Sequence, residues 1–166
     1  LWNRSWLASR AQAELARCRR RGATLSVGVF DADFFKHIND RWGHAIGDAV
    51  LRELAKQARA SLRPGDQVAR IGGEEFCILF PGLAATEAAT ALDRVRAAIE
   101  TCGVGPLPAG ALTISGGVAE SLAGSVPFDA LMSAADAALY AAKAGGRNRV
   151  EIAAPAAVAA EPRVSR

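Results

Sequence analysis

Three carboxylates at two distant places raise the first chemical question. Asp31 ends the apolar run "TLSVGVFDAD", and Glu74 and Glu75 follow a Gly-Gly pair in "ARIGGEEFCILFPG". A hairpin turn accounts for the glycines. It leaves two adjacent glutamates at the mouth of a buried strand unexplained, because Phe76, Ile78 and Phe80 carry the packing. Close carboxylates repel and resist joint ionisation, and a hard divalent cation removes that conflict. Mg²⁺ takes oxygen ligands, commonly one or two carboxylates together with substrate phosphates. With the main-chain carbonyl of Ala32 completing the shell, Asp31, Glu74 and Glu75 read as a Mg²⁺–nucleotide site. Taken singly, each also fits an ordinary surface turn.

Phosphates call for positive charge as well. Lys36 and Asn39 stand three residues apart, a spacing that shares one side of a helical turn. Lys143 lies at the end of the last helical pattern and Arg147 just past Gly145-Gly146, where the helix dipole also favours cations. Asn39 offers a donor and an acceptor. Asp48 offers two acceptors, which suit the N1–H and exocyclic amine edge of guanine. The same two residues could instead close a turn and cap the following helix, and both readings stand at this level.

These side chains need elements to position them. Asn3 can cap a first helix in which Trp6, Leu7, Ala11, Leu15 and Cys18 recur at helical spacing, ending in Arg19-Arg20-Arg21 and Gly22. Thr24–Asp33 reads as a buried strand. A polar loop with a short helical turn follows, then an amphipathic helix from about Asp48 to Leu62. "RPGD" is a turn. "QVARI" and "EEFCILF" form a hairpin around the glycines, stopped by Pro81-Gly82. A helix opening at Thr86, the strand "ALTISGGVAE", a helix from Phe128 through Ala142 and a short closing strand "RVEIA" complete the order. Residues 153–166 are Ala/Pro-rich without pattern and are expected to form a disordered tail after a domain over residues 1–152.

The central β-α-β-β-α-β order predicts an α+β fold: a ferredoxin-like antiparallel sheet flanked by helices. In that topology the third strand lies between the first two. The end of the Leu25–Asp31 strand then falls beside the start of the Glu74–Phe80 strand, so the acidic residues converge at one sheet edge.

Bulk properties narrow the options. The chain has 166 residues, 51% hydrophobic and 22% charged, which is a globular composition for one domain. A net charge of +3 is too small to argue for nucleic acid or a membrane surface. Cys18, Cys77 and Cys102 lack any zinc or redox spacing, and His37 and His44 complete no zinc pattern with them. Free thiols point to a reducing cytoplasm. No apolar run approaches the roughly 20 residues of a membrane span. The chain opens on Leu with a helix starting almost at once, so it reads as a piece of something longer.

Three motifs in order resemble the GGDEF domain of diguanylate cyclases: "DADFFKHINDRWGHAIGDAVL" (Asp31–Leu51), "RIGGEEF" (Arg70–Phe76) and "AAKAGGRNRV" (Ala141–Val150). "LWNRSWL" resembles the end of that family's opening motif. The resemblance implies a fold related to adenylyl cyclase catalytic domains and polymerase palms, and condensation of two GTP into cyclic di-GMP and two pyrophosphates. It implies Mg²⁺ or Mn²⁺ held by Asp31, the Ala32 carbonyl, Glu74 and Glu75. Glu74 would also assist deprotonation of the attacking hydroxyl. Asn39 and Asp48 would read guanine, and Lys36, Lys143 and Arg147 would steady the β- and γ-phosphates. Each domain would supply half an active site, so a homodimer is implied, with an upstream sensor domain outside this chain and no nucleic-acid partner. The domain is expected in the cytoplasm, with tethering to a membrane through an upstream region left open.

"RPGD" gains meaning from the same resemblance. Pro-Gly at its centre favours a type II turn that brings Arg63 and Asp66 together, and the family carries Arg-x-x-Asp at this spacing as an inhibitory product site. Departures are minor: the opening motif is cut short, Ala32 is smaller than the usual aliphatic residue, and Phe34 occupies a variable position beside the metal loop. The competing reading is a catalytically silent GTP- or cyclic di-GMP-binding module. The intact Gly-Gly-Glu-Glu-Phe run argues against it, and the low net charge argues against a polymerase palm.

Overall fold

Every residue of the strand Leu25–Ala32 (β1) is buried, so β1 must be covered on both faces. The computed structural model describes residues 4–154, and its helices supply that cover. In chain order the elements are α1 (Arg4–Arg21), β1, α2 (Phe35–Trp42), α3 (His44–Ser61), β2 (Gln67–Arg70), β3 (Glu75–Pro81), α4 (Ala85–Glu100), β4 (Ile114–Ser121), α5 (Phe128–Ala144) and β5 (Val150–Ile152). The sheet order is β2-β3-β1-β4-β5. β3 runs antiparallel to both β2 and β1, β1 antiparallel to β4, and β5 parallel to β4. The expected α+β sheet with β3 between the first two strands is what forms.

Alternation along the strands splits the core in two. Phe30, Phe76, Ile78 and Phe80 face α3 and α4. Leu25, Val27, Val29, Cys77 and Leu79 face α1 and α5. Phe30 and Phe76 stack across the β1–β3 pair at 5.1 Å, a contact worth about 0.5–1.5 kcal/mol beyond area burial. The glycines in "ALTISGGVAE" allow close approach of a helix. A Cβ on Gly117 would stand 2.1 Å from the Ala135 carbonyl of α5, so α5 can lie flat on β4 only with glycine there.

Three local expectations are corrected. The polar stretch after β1 forms a complete helix, α2, and α3 starts at His44 rather than near Asp48. Gly43 (φ 82°) ends α2 and starts α3, its carbonyl accepting from the Ile46 and Gly47 N–H groups, each at 3.2 Å. The left-handed backbone at Gly43 reverses the chain without a spacer. Asp48 therefore sits inside α3 and does not cap it. At "RPGD", Asp66 N–H donates to the Arg63 carbonyl at 3.0 Å, but Gly65 is not among the glycines of positive φ. A type II turn needs that sign, so the turn is of another type, and proline at its second position is equally compatible with type I.

Asn3 and residues 155–166, to which the first cap and most of the tail were assigned, lie outside the described residues. Ala153 still donates to the Val118 carbonyl at 2.7 Å. No described helix is long and apolar enough to cross a membrane.

Candidate active site

The β1–β3 register sets Asp31 opposite Glu75 and Phe30 opposite Phe76. Directly opposed residues share a face, so this end of the two central strands brings Asp31 beside the Glu74-Glu75 pair. A cavity of about 240 Å³ opens here, lined by Asp31, Ala32, Lys36, Glu74, Lys143 and Arg147 among others. Residues from β1, α2, the hairpin and the end of α5 are thus drawn to one place.

Asp31 is 4% exposed. The Lys143 ammonium donates to its Oδ2, while its Oδ1 is buried with no hydrogen-bond partner. Burial pushes the Asp31 carboxyl above the ordinary carboxylate range; the Lys143 hydrogen bond and charge oppose this, and Asp33 and Glu74 add like-charge repulsion. A buried carboxylate with a lone oxygen, next to a second carboxylate, suits a cation. Among the described residues no three His, Cys, Asp or Glu side chains stand close enough together to hold one. Asp31 and Glu74 still match Mg²⁺, which binds through one or two carboxylates with phosphates and water completing its shell.

Glu75 is directed elsewhere. Its Oε2 would stand 2.3 Å from a Cβ on Gly72, so its side chain folds back over that glycine. It also faces Asp136 on α5, whose carboxyl is raised first by burial and then by Glu75. Gly73 has open space where a side chain would be, which leaves its backbone accessible.

The phosphate-binding candidates differ in restraint. Lys36 is exposed and pairs with Asp40 at 2.8 Å. Arg147 lies in a loop anchored by Asp33 and by α4. Asp33, 5% exposed, accepts from the Thr113 and Ser115 hydroxyls at 2.7 Å each and from the Asn148 backbone N–H at 3.1 Å. The Asn148 side chain accepts from Arg96 at 3.0 Å and donates to Glu100 at 2.8 Å, tying the loop to α4. Asp33 escaped the sequence reading because its partners lie 80 or more positions away. The second aspartate of "DAD" was the available signal.

Asn39 and Asp48 do not line this cavity. Asn39 Oδ1 would stand 1.9 Å from a Cβ on Gly47, so its amide rests on α3 beside Asp48. Asp48 opens onto a second cavity of about 470 Å³ with Leu51, Arg52, Ala55 and Arg70. Arg70 is another residue the sequence reading passed over. It donates to the Gly73 carbonyl through Nε at 3.1 Å and Nη2 at 2.6 Å, and to the Gly72 carbonyl at 3.2 Å. It thereby links the Asp48 cavity to the loop that carries Glu74.

At the far end of β3 from Glu75, Arg63 Nε donates to Asp66 Oδ1 at 2.8 Å, and the Arg63 backbone N–H donates to Asp66 Oδ2 at 3.3 Å. The Asp66 side chain is 1% exposed and that of Arg63 44%. The carboxylate is buried, and the half-exposed guanidinium also donates through Nη2 to the Pro81 carbonyl at 2.5 Å.

Residues 1–149 match the family described as the diguanylate cyclase, GGDEF domain. The chain belongs to the GGDEF family. It is 41% identical over 155 residues to diguanylate cyclase DgcP of Pseudomonas aeruginosa, covering 91% of this chain and 22% of DgcP. Among solved structures it resembles the GGDEF domain of DgcB from Caulobacter crescentus in complex with c-di-GMP, with TM-score 0.84, 38% identity and 90% of each chain covered. It also resembles the active GGEEF domain of a diguanylate cyclase from Vibrio cholerae, with TM-score 0.87 and 32% identity over 93% of this chain and 98% of that one. The chain spans about a fifth to two fifths of the length of the curated relatives it matches.

Proposed function

We propose that this chain is a diguanylate cyclase domain that condenses two GTP into cyclic di-GMP and two pyrophosphates as a homodimer. The observation that supports this reading is the gathering of Asp31 and Glu74 with Lys36, Lys143 and Arg147 around one cavity, in a chain of the GGDEF family. In each of two symmetric steps a 3′-hydroxyl attacks the α-phosphorus of the GTP on the facing domain. A new P–O bond forms, the bond between the α-phosphorus and the bridging oxygen breaks, and pyrophosphate leaves.

Asp31, Glu74 and the Ala32 carbonyl would hold Mg²⁺ or Mn²⁺, with Glu75 as a further ligand if its side chain swings off Gly72. Such an ion supplies charge neutralisation at the phosphoryl oxygens. Glu74 takes the hydroxyl proton. Lys36, Lys143 and Arg147 bind the β- and γ-phosphates, where fixed cations stabilise charge as it spreads toward the leaving group. Asn39 and Asp48 select guanine. Arg63 and Asp66 form the product-binding inhibitory site. The domain works in the cytoplasm, consistent with three free cysteines.

The test is incubation with GTP and Mg²⁺ at several protein concentrations, with the product identified by mass. Cyclic di-GMP formed at a rate per protein that rises with concentration is the expected result. A dimeric protein that binds GTP and makes no cyclic dinucleotide would instead be a silent nucleotide-binding module.

A further inference from the structure

Among the described non-glycine residues, a left-handed backbone occurs at Phe34 (φ 55°), Arg147 (63°), Asn148 (46°) and Ala123 (49°). Ala123 lies in the turn after β4; Phe34 and Arg147 line the Asp31 cavity, and Asn148 is tied to Asp33 beside it. Such conformations cost a side-chain-bearing residue energy and persist where the surroundings use them.

Phe34 is the least expected of these. Glycine would adopt its backbone freely, yet the position carries a phenyl ring that is 54% exposed. A ring that exposed gains little from burial, so the core does not explain it. Its contacts do. The Arg147 guanidinium lies over the ring, 4.5 Å from its centroid, and the His37 imidazole stacks at 5.7 Å with 7° between planes. An arginine over an aromatic face is held electrostatically. Stacking also leaves the in-plane N–H groups free for an anion, because they point along the guanidinium plane.

We propose that Phe34 is a positioning residue: its ring is the platform that holds Arg147 over the cavity to receive the terminal phosphates of the nucleotide. The left-handed turn at the start of α2 is what aims the ring there. This rests on the assignment of Arg147 to the phosphates made above. The platform would raise affinity for the triphosphate part of the substrate alone.

The full chain and its Phe34→Gly and Phe34→Tyr variants test this by calorimetric affinity for GTP and for GMP, with KM, kcat and thermal midpoint alongside. Phe34→Gly suits the left-handed backbone, so folding is spared. Expected for it are a KM and a GTP dissociation constant raised about three- to tenfold, in line with loss of one cation–π contact. GMP affinity, kcat and the thermal midpoint should hold, and Phe34→Tyr should restore GTP affinity. A Phe34→Gly variant that keeps the wild-type preference for GTP over GMP overturns the proposal. So does a parallel loss of both affinities with a lowered midpoint, which would make the ring merely structural. A wild-type chain that binds GTP no tighter than GMP would instead remove the phosphate assignment of Arg147 itself.

Discussion

Lys143, in the last turn of α5, donates a hydrogen bond to Asp31 Oδ2 at the end of β1, 112 positions earlier in the chain. This pair joins the acidic and basic halves of the site. A lysine ammonium occupies one carboxylate oxygen while the other, Oδ1, is buried without a partner.

Asp31 should therefore tax stability in divalent-free buffer. Its folded pKa is raised above the ordinary 3.8, chiefly by burial. An acid raised on folding contributes stability present below its unfolded pKa and lost as pH rises through its folded one. Denaturant melts should show Asp31→Asn gaining on the wild type from about pH 4 upward, then levelling. Lys143→Met should lose about 1 kcal/mol at neutral pH, less than the roughly 1.5–3 kcal/mol of a charged hydrogen bond, because the lysine side chain is 36% exposed and solvent screens it. Equal pH profiles for Asp31→Asn and wild type would contradict this.

Glu74→Gln should abolish cyclic dinucleotide formation while leaving the fold intact. A loss of about 10²–10⁴-fold is expected for a group that moves the hydroxyl proton. Thermal midpoint and GTP binding report the fold, and product mass reports turnover. Wild-type turnover in this variant would remove Glu74 from catalysis.

Gly47→Ala would place a methyl 1.9 Å from Asn39 Oδ1. Asn39 must then move off α3, and on the proposed assignment one guanine hydrogen bond would be lost. KM for GTP should rise about tenfold, with discrimination against ATP reduced in step, as expected for one hydrogen bond of order 1 kcal/mol. Unchanged discrimination would mean that Asn39 does not read the base.

Arg63→Ala should relieve inhibition by added cyclic di-GMP and leave turnover without product unchanged. The stability cost should be about 1–3 kcal/mol, since the Asp66 side chain is buried and loses its guanidinium donor. Inhibition curves with added product decide it; undiminished inhibition would place the product site elsewhere.

Much of this protein was legible in one dimension. Apolar runs, helical periods and turn residues are local signals, and they placed each strand and long helix near its observed position. The ferredoxin-like order followed, and with it the meeting of Asp31 with the Gly-Gly-Glu-Glu hairpin, because short connections and handed crossovers leave few ways to pair these strands. Helix α2 was expected only as a short turn, and α3 to start later, because Gly43 does two jobs in one residue, ending one helix and starting the next.

Tertiary packing decided the rest. Which of two adjacent glutamates enters the cavity depends on the alternation of β3 and on Gly72, over which Glu75 folds. Asp33 and Arg70 became visible only when distant elements closed on them, Asp33 through hydroxyls of β4 and its approach, and Arg70 through carbonyls of the hairpin. Residue types and spacing determined that carboxylates and cations would share one sheet edge. Which atoms face one another there was set by side-chain directions and three-dimensional distances, which a linear order of residues does not contain.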